Sequence, residues 1–338
     1  MKRAGCLMQD VATVRNVARA VHNARNSGDA SVDQQKFLSE LESNCNELVS
    51  RLADGTWTPG PYHRFIVCDP KRREIHAARF ADRVAHHALL NVAGPLLEQG
   101  ASHASFACRQ GRGNTRAVDA VWHAAGRCKW FLKLDVRRYF DSVSHDILLN
   151  LLQRRFKDHR FLLILERIVR SFEKSPGRGL PIGTLTSQYL ANFYLDGLDR
   201  WIQCDQGCPK YARYMDDFVI LHNDRQWLAA VYEKTVDWLQ QNRELRLRET
   251  CRPQPVQEGI AFLGYRVFPG TVLLARKSRR RFVSRLKSLE LLYRSGMIDS
   301  HSLQQRMDAL LAFTSHAQCR QWRRRMVLKY GCFSEDDV

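Results

Sequence analysis

The stretch YARYMDDFVIL, residues 211–221, sets two adjacent carboxylates, Asp216 and Asp217, at the tip of an otherwise apolar, β-branched and aromatic segment. Two strand-like runs meeting at Asp-Asp read as a hairpin, because Asp tolerates turn geometry and hydrogen-bonds its own backbone. Taken alone, the pair is explained by a solvated turn. A third carboxylate on a neighbouring strand changes that, and KWFLKLDVRRYF, residues 129–140, offers one. In its strand-like run Phe131, Lys133 and Asp135 share one face, and Trp130, Leu132 and Leu134 the other. Asp135 then lies at a strand end, where the hairpin can meet it. Three like charges repel, so their convergence makes sense around divalent cations. Hard Mg²⁺ ions prefer carboxylate and phosphate oxygens, and two of them about 4 Å apart suit phosphoryl transfer.

Composition narrows the partners. The chain has 338 residues, enough for about two domains, and 44% hydrophobic content suits a globular protein. Lys and Arg outnumber Asp and Glu by 53 to 35, a formal charge of +18, which points to a polyanion, with nucleic acid ahead of a membrane surface. No apolar run approaches the length that spans a bilayer. The start, MKRAGCLMQDVATVRN, lacks the apolar core of a signal peptide, so a cytoplasmic location is expected. Ten scattered cysteines read as reduced thiols, and Cys204 and Cys208 lack further nearby ligands for a structural zinc.

The patterning predicts a mixed α+β centre flanked by helical parts. Val11, Val14, Val17 and Val21 recur on one helical face, and a second helix carries Phe37, Leu41, Leu48 and Leu52. Ser31 and Gln34 suit a capping box for that helix, and Gly55 suits its stop. A further helix is expected from Ser187, with Leu190, Tyr194, Leu198 and Trp201 on one face. From about residue 276 the chain is strongly basic, and Phe282, Val283, Leu286, Leu289 and Leu292 are spaced for a helix packed on one side.

Several motifs occur in an order that resembles a reverse transcriptase. FIVCDPKRREIHAARFADRVAHHAL (65–89) resembles the fingers, SFACRQGRGNTRAV (105–118) a template- and nucleotide-facing motif, and LKLDVRRYFDSV the first palm strand. GLPIGTLTSQYLANFYL (179–195), YMDD, FLGY (262–265) and FTSHAQ (313–318) resemble later palm and thumb motifs. Within this superfamily, IGTLTSQ (182–188) has the form found in diversity-generating retroelements, where many other bacterial enzymes have Gln-Gly-xxx-Ser-Pro. The resemblance covers nearly all of residues 60–320. It implies a right-hand polymerase fold, with an N-terminal helical region (1–60), fingers and an antiparallel palm (61–270) and a basic helical thumb (271–338).

The same resemblance implies an RNA-directed DNA polymerase that copies a template-repeat RNA into cDNA with errors opposite adenine. Its implied partners are template RNA, primer, RNA–DNA hybrid, dNTPs and a basic pentameric accessory protein. Two Mg²⁺ ions would be held by Asp135, Val136, Asp216 and Asp217. Lys71, Arg73 and Arg109 are candidates for triphosphate and template backbone, where Arg grips with two donors and Lys acts as a point charge. Phe140 falls at the steric gate, the alternative being a core aromatic. Ile182, Gly183 and Gln188 fall beside the templating pair, the alternative being a capped strand-to-helix connection; Tyr214 and Met215 complete the nucleotide-facing set. Arg279, Arg280 and His316 fall in the thumb, where a solvated helix face or a core histidine is the alternative. One departure is that Arg246, Arg248 and Arg252 stand where many polymerases have a proton-donating Lys; arginine is a poor acid, so no general acid is assigned. The rivals are a retron-type or phage-defence reverse transcriptase and a non-catalytic nucleic-acid-binding protein on a polymerase-like fold.

Overall fold

The computed structural model describes residues 3–25, 31–68 and 72–331. They form two compact units, each assembled from separate stretches of chain. The first contains the described residues up to 109, with 135–201 and 234–249; the second contains 110–134, 202–233 and 250 onward.

In the first unit, the helix Val14–Arg25 buries Val17, Ala20, Val21 and Ala24 and packs on the long helix Phe80–Gln99. Val14 departs from the expected stripe: it begins the helix and is 55% exposed. The single helix expected over the Phe37–Leu52 pattern is two, Val32–Ser39 and Leu41–Ala53. The break lies at Glu40, whose backbone leaves helical values, and Ser39 Oγ donates to Lys36 O, the local bond by which Ser competes with a helix. Asn44 Nδ2 spans the break by donating to Phe37 O. Ser31 caps the first piece, accepting from Gln34 N–H at 3.2 Å, but Gln34 Oε1 is buried without a partner among the described residues, so only half of the capping box forms. The strands β1 (His63–Val67) and β2 (Arg73–Ala77) make an antiparallel ribbon. The helix Leu185–Arg200 starts two residues earlier than expected, because Thr184 serves as its N-cap and accepts from Ser187 N–H. Leu190, Tyr194 and Leu198 lie on its buried face as patterned.

The second unit holds two antiparallel systems. β3 (Trp130–Asp135), β4 (Tyr211–Tyr214), β5 (Asp217–His222) and β6 (Gln254–Pro255) form a sheet in the order β4-β5-β3-β6. β7 (Ile260–Phe262), β8 (Tyr265–Phe268) and β9 (Thr271–Leu274) form a three-stranded meander. The helix Asn114–Ala125 packs on β4 and β8 and buries Ala117, Val118 and Val121. After β9 come the strongly basic helices Arg276–Arg294 and Arg320–Tyr330 with the uncharged-on-balance helix Ser300–Ser315 between them in sequence, and their apolar stripes meet in a cluster of Phe282, Leu286, Leu303, Met307, Leu310 and Val327. Gly264 is needed where this cluster joins the meander. Its φ is +88°, and a Cβ there would lie 2.9 Å from Ser278 Oγ and 3.1 Å from the Phe313 ring, while Ser278 Oγ donates to Gly264 O.

His86, on the long helix of the first unit, is fully buried edge-on to Trp57, and its Nε2 has no partner among the described residues. Burial pushes its imidazole down to about 4. The unfolded chain takes up this proton near 6.5 and the folded chain only near 4, so stability is complete above pH 6.5 and falls as pH drops towards 4, by roughly 3 kcal/mol from this residue. His86→Phe is expected to flatten the urea-denaturation profile over that window and to raise stability at pH 5.

Candidate active site

Register fixes the tip of the central hairpin. Tyr211, Ala212, Arg213 and Tyr214 of β4 pair with Ile220, Val219, Phe218 and Asp217 of β5, leaving Met215 and Asp216 as a two-residue turn. Met215 has φ +56°, a left-handed value at the first turn position where such hairpins usually carry Gly. Phe218, Val219 and Ile220 are fully buried, whereas Tyr214, Met215, Asp216 and Asp217 are half-buried. Arg213 is completely buried, and its Nη1 donates to Met215 O at 3.1 Å, so a guanidinium braces the strained turn from beneath.

β3 and β5 are neighbours in the sheet. Lys129 N–H donates to Asn223 Oδ1 at 3.1 Å, and Lys133 Nζ lies 3.3 Å from Asp217 Oδ2. One residue number rises as the other falls, so the strands run in opposite directions. Strand alternation puts Asp135 on the face of β3 that carries Lys133. Lys133 had no role assigned from the sequence, although the period-two rule placed it on that face. Arg213 was missed as well, and nothing in YARY distinguishes a buried arginine from an exposed one.

In the first unit the segment 246–248 is zipped to 135–137. Arg248 N–H donates to Asp135 O at 2.8 Å, Val136 bridges Leu247, and Arg137 N–H donates to Arg246 O at 2.9 Å. Arg248 Nη1 also lies 3.7 Å from Asp135 Oδ2. Phe140 is half-buried and edge-on to Tyr139, with its carbonyl accepting from Leu180 N–H. Ile182 O accepts from His76 N–H at 2.8 Å, and Gly183, at φ +122°, would drive a Cβ to 2.6 Å from Ile75. The close backbone approach at Gly183 is therefore to β2. Gln188 Oε1 accepts from Cys108 Sγ at 3.2 Å.

Arg109 donates through Nη1 to the carbonyls of Ser102 and Ser105 and through Nη2 to that of Glu98, which ties the segment before it together, while its Nε is buried without a partner among the described residues. Arg73 opens β2 on an exposed position; Lys71 lies outside the described residues. In the second unit Arg279 stacks over Trp322 at 5.4 Å and Arg280 is exposed. His316 Nε2 is 3.2 Å from Asp119 Oδ1 and its ring is edge-on to Tyr265, a contact internal to that unit.

Among the described residues no three His, Cys, Asp or Glu side chains make a ready-formed metal cluster. The donor chemistry nonetheless fits a hard divalent cation. In the second unit Asp216 and Asp217 offer half-buried carboxylate oxygens with Lys133 beside Asp217, and in the first Asp135 offers one with Arg248 beside it.

The profile of the family described as reverse transcriptase (RNA-dependent DNA polymerase) matches residues 69–267. Protein YkfC of Escherichia coli K12 is 25% identical over 303 residues, 76% of this chain and 80% of that protein. The group II intron-encoded protein LtrA of Lactococcus lactis subsp. cremoris is 24% identical over 198 residues, 54% of this chain but only 33% of LtrA. The solved structure of telomerase from Candida albicans with a fragment of telomeric RNA superposes with a TM-score of 0.50 at 12% identity, over 89% of this chain and 62% of that one, a likeness of fold.

The turn geometry gives a direct test. Met215→Gly removes a left-handed backbone cost of about 1–2 kcal/mol, partly offset by the greater freedom of Gly in the unfolded chain. The variant is expected to match or exceed wild type in urea denaturation while losing primer extension.

Proposed function

Because the chain belongs to the reverse transcriptase (RNA-dependent DNA polymerase) family, we propose that it copies a template-repeat RNA into adenine-mutagenised cDNA for targeted sequence diversification. It is an RNA-directed DNA polymerase on the right-hand polymerase fold. The observation that carries the narrower reading is IGTLTSQ at 182–188, with Ile182 and Gly183 at the strand-to-helix connection and Gln188 in the first turns of the following helix. In this reading residues 1–60 are an N-terminal helical region, 61–270 the fingers and palm, and 271–338 the thumb.

Asp135, Asp216 and Asp217, with the Val136 carbonyl, would hold two Mg²⁺ ions, which when bound would acidify the attacking 3′-hydroxyl and offset the negative charge of the reacting phosphates. The chain's own contribution is position: Arg213 fixes the turn that presents Asp216, Lys133 orients Asp217, and the pairing of 135–137 with 246–248 fixes Asp135. Phe140 serves as the gate against a 2′-hydroxyl. Lys71 and Arg73 meet the triphosphate or template, and Arg109 supports them by holding the 98–105 segment. Ile182, Gly183, Gln188, Tyr214 and Met215 surround the templating pair. Arg279, Arg280 and the segment around His316 follow the RNA–DNA duplex through its phosphates. A basic pentameric accessory protein is the expected partner. No helix among the described residues is long and apolar enough to cross a membrane.

A second reading is a reverse transcriptase without a diversifying role, favoured by the similarity to YkfC and to the intron-encoded LtrA. The two separate on error pattern. With Mg²⁺, four dNTPs and a primed RNA carrying every base in varied contexts, wild type should make cDNA, and Asp216→Ala with Asp217→Ala should lower the yield by a factor on the order of 10³ or more. Errors concentrated at template adenines support diversification, and even fidelity across the four bases moves the assignment to the second reading.

A further inference from the structure

All five residues of β1 are exposed, Phe65, Ile66 and Val67 among them, so the ribbon β1–β2 has no apolar core of its own. Its position rests on what β2 and the approach to β1 make with the segment 171–183 of the same unit. His76 N–H donates to Ile182 O at 2.8 Å, and Ile75 lies so close to Gly183 that only the missing Cβ leaves it room. Tyr62 Oη is 2.7 Å from Ser171 Oγ, and the Phe172 ring stands edge-on to both Tyr62 and His76, with centroids 6.3 and 4.6 Å away.

The remaining contact is electrostatic and centres on Glu74. Among the ten paired residues of the ribbon Glu74 is the only acid, and the register puts it on one face with Arg64 and His76. Its Oε1 pairs with Arg64 Nε across the ribbon and lies 3.9 Å from His76 Nε2, while its Oε2 accepts from Lys174 Nζ at 3.3 Å. One carboxylate thus serves three basic groups, two on the ribbon and one on the segment 171–183. Desolvation works to raise its pKa, but the Lys174 hydrogen bond and the charges of Arg64, Lys174 and His76 hold it below the ordinary carboxylate range, so it is ionised at neutral pH. Burial lowers His76, aided by Lys174 and Arg64 and opposed by Glu74 and Asp141, so its imidazole is neutral there.

We infer that Glu74 is a positioning residue, which by joining Arg64 to Lys174 fixes the ribbon on the segment ending at Ile182 and Gly183 and so sets how tightly an incoming nucleotide is held. Its effect on nucleotide use rests on the polymerase reading above. Arg73 precedes it on the opposite face of the ribbon, so Glu74 acts through the strand and touches no substrate. Exposed ion pairs of this kind add little to stability. Removing the carboxylate, however, leaves Arg64 and Lys174 facing each other uncompensated, and like charges part the ribbon from the segment.

The test compares the full-length wild type with Glu74→Gln, Lys174→Gln and the double variant. Amide hydrogen exchange at His76 reports the bond to Ile182, NMR titration of the His76 ring reports the charge beside it, and primer extension at varied dNTP gives KM and kcat. In Glu74→Gln the His76 amide should exchange at least tenfold faster, the His76 ring should titrate at lower pH, and KM for dNTP should rise at least fivefold with kcat changed less than twofold. The double variant, with Lys174 no longer charged, should recover part of the exchange protection and part of KM. Unchanged His76 exchange in Glu74→Gln overturns the inference, as does faster exchange with an unchanged KM, or a loss confined to kcat. Wild type that makes no DNA, while exchange and the ring titration shift as expected, would overturn the polymerase reading and leave Glu74 as the clamp of the ribbon.

Discussion

Consecutive carboxylates at a tight turn repel each other, and everything proposed for this chain depends on how that repulsion is contained. Asp217 meets Lys133 across the β3–β5 pairing, and the turn itself is braced by the buried Arg213 through the Met215 carbonyl. The cost of burying a guanidinium in an apolar strand and of a left-handed methionine is not what a simple hairpin would accept. Both features fix the two acids at the tip of the hairpin.

The net charge of +18 is less available than the sequence suggests. Arg109, Arg155, Arg167 and Arg243 spend donors on main-chain carbonyls, and Arg243 is also stacked between Tyr194 and Trp238. Arginine is well suited to this, since one planar fork can satisfy several carbonyls that would otherwise be unpaired.

Much of this was legible in the sequence because it depends on local pattern. Asp135 at a strand end, a hairpin tip at Asp216 and the apolar stripe around Phe282 and Leu286 follow from periods of two and 3.6. What failed depended on competition or on distant partners. The helix break at Glu40 sits inside an uninterrupted helical stripe, the start at Leu185 turned on Thr184 outcompeting Ser187 as cap, and Val14 is exposed at a helix start. The carbonyls of Ser102, Ser105 and Glu98 that Arg109 meets could not be read from its motif, since their approach depends on how the chain folds around it. Lys133 was visible on the correct face, but its pairing with Asp217 requires knowing that β3 and β5 are adjacent.

The most direct measurement is a titration of Mn²⁺ into the metal-free full chain, with free ion followed by electron paramagnetic resonance and no nucleotide present. Wild type should bind, Asp216→Asn with Asp217→Asn should weaken binding at least tenfold, and Glu74→Gln should leave it unchanged. Equal Mn²⁺ binding by wild type and a folded Asn pair would contradict a metal site at the hairpin and return YMDD to an ordinary turn.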